Sequence, residues 1–466
     1  MPFDSFSVPS SKHIVIVGAG ISGLSLAWYL KKKHGTELKV TVLEKNSRVG
    51  GCINSLKKGE FLFESGPRGF RPKGAGQRTL ELIKELKIEN HLIEADPSAA
   101  HRYLWTDKQL QKLPHSIFSL LTSPITRKII FPLIKETFLK PRAPDSDESI
   151  DSFIRRHFGS YLTETLVDPL VSGVFAGDIR KLSLQSCFPL LKKYEKENGS
   201  IIKGLLPSAR SSSGKIKTDT PKAPLLSFKE GMSLLPESLA AKVSANILLS
   251  HPLENLKFHK DHIAIEVQGK TLKASHVFST IPPRELALLY PDFSPDISAL
   301  LNNFSYTSLT AVNVGYSKRV LKNQGFGYLI PSKEKEKLLG VTWDSCIFPQ
   351  QNSYKEQTRL TAMLGGSRNK SLHLLPEEEL AQIALEGIHK HLGISDKPES
   401  ICVYTAHNLI PQFNVGHEDK LLNLSQALKN AFPRLTVLGH HFRGIGVNGC
   451  IEEAEEASST LSQSYT

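Results

Sequence analysis

Two stretches of this 466-residue chain carry residue types at spacings that could do chemistry. In "HIVIVGAGISGLSLAWYL", residues 13–30, Gly18, Gly20 and Gly23 stand as G-x-G-x-x-G between a β-branched run and an apolar run of helical period. Gly18 makes the turn, Gly20 lets a pyrophosphate approach the backbone, and Gly23 lets helix and strand pack closely. The helix start at Ala19, Ile21 and Ser22 faces the phosphates. A second strand, "KVTVL", ends at Glu44, an acid placed to accept from ribose hydroxyls and to repel a 2′-phosphate, which argues against NADP. The other stretch is "SGPRGFRPKG", residues 65–74, with three glycines, two prolines and the cations Arg68, Arg71 and Lys73. Glycine and proline at this density exclude a helix or a central strand and leave a rigid loop with exposed backbone. By itself it reads as a solvated surface loop.

The elements around these residues decide between NAD and FAD. After Glu44 the chain runs "KNSRVGGC", giving E-x-x-x-R-x-G-G with Lys45, Arg48, Gly50, Gly51 and Cys52. That extension resembles the FAD-binding amine-oxidase-like superfamily, in which the second glycine pair approaches the flavin side of the cofactor. The chain returns twice. Residues 246–281 alternate as strands, with Leu253 a cofactor contact by resemblance, and "LTVLGHHFRGIGVNGC" reads as strand, glycine-rich loop and helix. There Gly439, His440, Gly444, Ile445, Gly446 and Val447 resemble the superfamily's second flavin-contacting motif. A discontinuous cofactor domain of 1–95, 228–300 and 432–466 follows.

Length allows two or three domains. Lys and Arg number 58 against 46 Asp and Glu, a net +12 that invites an anionic partner: nucleic acid, acidic lipid or a polycarboxylate. The cations are scattered and no nucleic-acid motif appears, so nucleic acid is the weakest of the three. Five dispersed cysteines without Cys-x-x-Cys suggest reduced thiols. Neither His440–His441 nor His389 and His391 has acid or cysteine neighbours at ligand spacing, so no metal is expected. The first residues lack the pattern of a signal peptide, and no stretch reaches about 18 apolar residues.

From end to end the chain resembles the protoporphyrinogen oxidases. The match is colinear through "GAGISGL", "SGPRGFRP", "HRYLW", "DPLVSGVFAGDIRKLSLQSCFP", "NQGFGYLIP", "TAMLGGS", "IPQFNVGH" and "GIGVNGCIE". The resemblance implies an α/β fold: a Rossmann-type discontinuous FAD-binding domain, a mixed-sheet substrate domain over 96–110 and 301–431, and a helical membrane-binding domain over 111–205. Residues 206–227 read as a flexible, serine- and lysine-rich loop. In that family the GPRG turn lies against the flavin, so Gly66, Pro67, Arg68 and Gly69 become cofactor contacts, glycine letting a ligand touch backbone. Arg102 aligns with an arginine that pairs a propionate; a structural salt bridge is its plainer role. By the resemblance Phe326, Gly327, Leu329 and Met363 line the family's substrate cavity, although from the residues alone core packing is the better reading of Leu329 and Met363.

The implied reaction is FAD-dependent oxidation of protoporphyrinogen IX to protoporphyrin IX, with hydride passing to a non-covalent flavin and six electrons removed in all. Dioxygen would reoxidise the flavin and yield peroxide. No catalytic residue or general base stands out. The rivals are a coproporphyrinogen III oxidase of the same family, a flavin amine oxidase, and a non-catalytic flavin-binding membrane protein. Prolines at 114, 124, 132 and 141 are expected to cut residues 111–141 into short helices beside Arg127, Lys128, Lys135 and Lys140, suiting peripheral attachment to a membrane surface. The resemblance also leaves room for a homodimer and hand-off to ferrochelatase. It places the chain on the cytoplasmic side of a bacterial inner membrane, or at the mitochondrial inner membrane if eukaryotic. Gly449, and Glu230–Gly231, depart from the family pattern.

Overall fold

A computed structural model describes residues 13–114, 124–138, 146–205, 221 and 223–462. Five parallel strands form one sheet, in the order Leu435–Val437, His276–Ser279, His13–Val17, Lys39–Leu43 and Asn246–Leu248. Both faces are covered, and the period of two divides the residues between them. Ile14, Ile16, Val40 and Val42 meet the helices Ile21–His34 and Val447–Ser462 on one side. Val15, Val17 and Leu43 meet the antiparallel strands Asn255–Phe258 and Ile263–Val267 and the helix His417–Ala431 on the other.

The second sheet has seven strands: Ser400–Gln412, Ser305–Tyr316, Thr358–Gly365, Leu338–Thr342, Gly327–Leu329, Arg102–Thr106 and Gln109–Lys112. All neighbours are antiparallel except Gly327–Leu329 and Arg102–Thr106, which run parallel with Gly327 opposite Arg102. The helix Glu377–Leu392 packs Leu380, Ala384 and Ile388 on this sheet; three glutamates in its first turn complement the helix dipole, and Gly393 at φ +68° ends it. A helical layer with its own core of Phe153, Phe158, Val171, Phe175 and Leu182 adjoins the sheet.

Three expectations need correction. The helical stretch does not begin at 111, because Gln109–Lys112 is a strand paired with Arg102–Thr106. The loop does not extend to 227: Leu226–Phe228 is a buried strand paired with Leu92–Glu94, and it carries the apolar side chains that a solvated loop would not. Pro132 does not break a helix but lies inside Pro124–Glu136. One lost backbone hydrogen bond is tolerated where the helix end is held from outside, and Glu136 is buried there with four partners, His157, Ser200 Oγ and the amides of Ile201 and Ile202. Most of the expected loop (206–220, 222) and Ile117, Phe118, Leu121, Lys140 and Pro141 lie outside the described residues.

Candidate active site

The glycine turns stack on each other. Gly18 adopts φ +104°, and a Cβ on Gly23 would collide with the Gly18 carbonyl, so helix and strand meet at contact distance. Gly50 and Gly51 take φ +101° and +57°; Gly50 N donates to Ala19 O (2.9 Å), and a Cβ on Gly51 would reach 3.2 Å from Gly20 Cα. Arg48 clamps this second turn from within, donating to the carbonyls of Gly51 (2.8 Å), Val49 (3.1 Å) and Ile53 (3.2 Å). No side chain caps the helix Ile21–His34, which leaves its first-turn amides at Ile21, Ser22 and Gly23 for a ligand. Glu44 is buried beside them, accepting from Ala19 N (2.9 Å) and Asn46 N (2.9 Å). Uncapped amides, glycine backbones without Cβ and a fixed carboxylate fit a dinucleotide.

The GPRG turn needs its glycines for a reason the sequence does not show. A Cβ on Gly66 would strike Cys52 O, and one on Gly69 would strike Leu226 O. Both glycines make room for neighbouring backbone. Arg68 pairs with Asp344 (Nε to Oδ1, 2.6 Å), and Thr342 Oγ1 and Thr361 Oγ1 also donate to that carboxylate (3.1 and 2.6 Å). The remaining cofactor candidates are spread. Lys45 is exposed and pairs with Glu285 (3.4 Å), Leu253 packs in the core with Val15 and Val17, and Ile445 packs against the helical layer. Cys52 is half-buried, and its burial pushes the thiol up. Gly439 at φ +119° donates to Glu453 Oε2 (2.8 Å). His440 Nε2 donates to Leu409 O (3.2 Å), and burial lowers its basicity. A Cβ on Gly446 would meet open space, and Val447 starts the last helix as part of the core.

A cavity of about 1010 Å³ lies between the second sheet and the helical layer. Arg102, Phe326, Gly327, Leu329 and Met363 all line it. Strand pairing brings them together: Phe326 N donates to His101 O (2.8 Å), Trp343 N to Phe326 O (3.0 Å), and the Arg102 guanidinium stacks 4.7 Å from the Phe326 ring centre. No carboxylate lies within ion-pair distance of Arg102 among the described residues, so a structural salt bridge is not its role there. The opposite wall is the helix Asp168–Phe175, which contributes Leu170, Gly173 and Val174. Gly173 lets the helix pack close to this wall, since a Cβ there would stand 2.6 Å from Leu329 Cδ2 and make that side chain shift. Arg368 fastens this wall, donating to Ser172 Oγ (3.0 Å), Asp168 Oδ2 (3.4 Å) and Ile330 O (2.7 Å). Sequence reasoning singled out none of Arg71, Lys73, Leu170, Gly173 or Val174 as lining, although Arg71 and Lys73 stand in the quoted loop. No acidic residue and no histidine lines the cavity among the described residues.

Residues 21–461 match the family model described as flavin containing amine oxidoreductase. The chain belongs to that family. This flavoenzyme is an oxidoreductase, and a flavin is its cofactor. It is 34% identical to protoporphyrinogen oxidase of Bos taurus over 97% of this chain and 98% of that one, and 33% identical to the Homo sapiens protein at the same coverage. It is 29% identical to coproporphyrinogen III oxidase of Bacillus subtilis over 96% and 97%. Among solved structures, a protein from Exiguobacterium sp. 255-15 superposes with a TM-score of 0.82 at 22% identity, covering 97% of this chain and 99% of that one. A putrescine oxidase bound to putrescine superposes at 0.71 and 15%, with the same coverage. At these identities the structures speak for the fold of the flavoenzyme alone.

Proposed function

We propose that this flavoenzyme oxidises protoporphyrinogen IX to protoporphyrin IX with non-covalent FAD held between the glycine turns. The observation that carries the reading is the acid-free cavity, wide enough for a macrocycle, apolar over most of its lining and cationic at Arg102. FAD supplies the two-electron acceptor, and three rounds remove six electrons, with dioxygen as the final acceptor and peroxide released. The chain's own residues orient and shield. Phe326 offers a ring face to a pyrrole, Gly327 leaves room beside it, Leu329 and Met363 close the apolar walls, and Arg102 pairs a propionate. Neither histidine nor carboxylate lines the cavity among the described residues, and in this reading the pyrrole protons leave to solvent. We divide the chain into the cofactor, substrate and helical domains read from the sequence, with the boundary corrections above.

The four cations at the cavity, Arg68, Arg71, Lys73 and Arg102, are the one observation that would favour a four-carboxylate substrate such as coproporphyrinogen III. Arg68 is already held by Asp344, which favours the two-propionate substrate. The test is rising porphyrin fluorescence when purified holoenzyme meets each reduced porphyrinogen, with acid-released flavin identified beside it. A colourless protein, release of a flavin other than FAD, or faster turnover of coproporphyrinogen overturns the reading.

Membrane attachment belongs to the same proposal. No described helix is long and apolar enough to cross a bilayer. The helix Pro124–Glu136 and its following turn expose Phe131, Ile134 and Phe138, while Leu170 and Val174 are exposed at the cavity. A face of this kind suits the interface, where a macrocycle of low solubility would be delivered. Acidic liposomes should pull down the protein, and Phe131→Ser with Phe138→Ser should release it with its flavin retained.

A further inference from the structure

Arg71 and Arg102 face one cavity and have no acidic partner among the described residues. They come from distant parts of the chain: Arg102 opens a strand of the second sheet, and Arg71 lies in the Gly/Pro-rich loop. They are close enough for each charge to bear on the other. The apolar surroundings first, and the Arg71 charge second, press the Arg102 guanidinium below its ordinary value. Two like charges held toward one apolar cavity repel each other, and a bound dianion removes that cost.

The loop that carries Arg71 is built, not slack. Asn448 at the start of the last helix donates from Nδ2 to Arg71 O (2.9 Å) and accepts from Thr79 Oγ1 (2.8 Å). Gly76 is required because a Cβ there would collide with Arg71 O, and the neighbouring Pro72 is buried. The backbone of Arg71 is therefore held by Asn448 and packed against Gly76, while its side chain has no hydrogen-bond partner among the described residues. Lys73, two residues on, is a flexible point charge with no planar fork.

We propose that Arg71 is a second carboxylate anchor, so that Arg71 and Arg102 together grip two carboxylates on one edge of the substrate and set its orientation in the cavity. This rests on the porphyrinogen reading above, whose substrate carries two propionates on adjacent pyrroles. Each guanidinium takes one carboxylate through its planar fork, and the Phe326 ring under Arg102 keeps that fork from swinging. The pair selects for substrates whose two acids sit side by side, and it disfavours those whose acids are blocked.

The experiment is steady-state kinetics of holoenzyme on protoporphyrinogen IX and on its dimethyl ester, with flavin occupancy and melting temperature measured for every variant. Arg71→Ala should raise KM for the diacid about ten- to a hundredfold. It should leave KM for the dimethyl ester within about threefold, with flavin content and melting unchanged. Arg71→Lys should recover part of the loss, and Lys73→Ala should change KM by less than about threefold. Arg71→Ala with a wild-type KM for the diacid, an equal penalty on the ester, or loss of flavin overturns the second anchor. Failure of the wild-type enzyme to oxidise the diacid overturns the porphyrinogen reading itself, and the two failures are thus told apart.

Discussion

Two regions of the molecule gather charge, and they are built in opposite ways. In the helical layer the buried charges have partners. His157 lies between Glu136 (3.0 Å) and Glu195 (3.3 Å), Arg156 reaches Glu195 and Glu148 (2.5 and 2.7 Å), and Lys192 reaches both of these acids (3.3 Å each). Glu136 also accepts from Ser200 Oγ and from the amides of Ile201 and Ile202, which start another helix. At the cavity, Arg71 and Arg102 have no acid beside them. Paired charge holds four helices in register; unpaired charge facing a hollow is arranged for something that arrives. Density of charge alone would not separate the two, but the presence or absence of a counter-charge does.

The largest effect should come from breaking the paired region. Glu136→Ala strands His157, Ser200 and two amides in a dry site and should cost about 3–5 kcal/mol in denaturant unfolding. Activity per folded molecule should stay near wild type; a parallel loss of KM would mean that the two regions are not independent.

Glu64 is the intermediate case. It is buried and hydrogen-bonded by Ser55 and Met232 N, yet Arg68 is drawn off to Asp344. Burial pushes its carboxyl up to about 7 from an ordinary 4.5, against the pull of those two donors. A raised acid binds its proton more tightly folded than unfolded, so its stabilising share is complete below pH ~4.5 and is lost as pH rises to about 7. The difference in unfolding free energy between wild type and Glu64→Gln should shrink across that window by on the order of 3 kcal/mol. Parallel pH profiles would remove Glu64 from this account.

Arg102→Ala should act in the reverse sense to Glu136→Ala. KM for the porphyrinogen should rise about ten- to a hundredfold, corresponding to a charge-assisted bond of roughly 1.5–3 kcal/mol, while melting and flavin content hold. Loss of flavin would make this arginine structural. The smallest effect belongs to Arg155, which pairs with Asp151 (2.8 Å) and Glu164 (3.0 Å) in solvent. Arg155→Ala should change stability by less than about 1 kcal/mol, since water competes with an exposed pair. A larger change would show that pairing matters here regardless of burial.

Much of the cofactor end was legible because its rules are local. The turn at Gly18, the close approach at Gly23 and the acid closing the second strand follow from spacings of a few residues, and the structure keeps them in contact. The cavity residues were legible only by resemblance, since Leu329 and Met363 look like any core residue until the strands are aligned. The GPRG glycines were legible as places of close approach, but not that the backbone of Cys52 and Leu226 is what approaches them: the sequence shows that something must come close, not what. Pro132 was misread because a proline's cost depends on what else holds the helix.

The sequence by itself determined the strand periods, the glycine turns and the stock of cations. These depend on neighbours within a turn or a hairpin, where chain connectivity sets the distances. Only the tertiary structure decided which charges are spent on the protein and which are left for a ligand. Asp344 finds Arg68 across 276 residues, Asn448 finds the Arg71 carbonyl across 377, and Arg71 and Arg102 line one cavity with no acid in its lining among the described residues. Pairing over such separations is governed by packing of whole elements, and burial then sets how much each unmet charge costs.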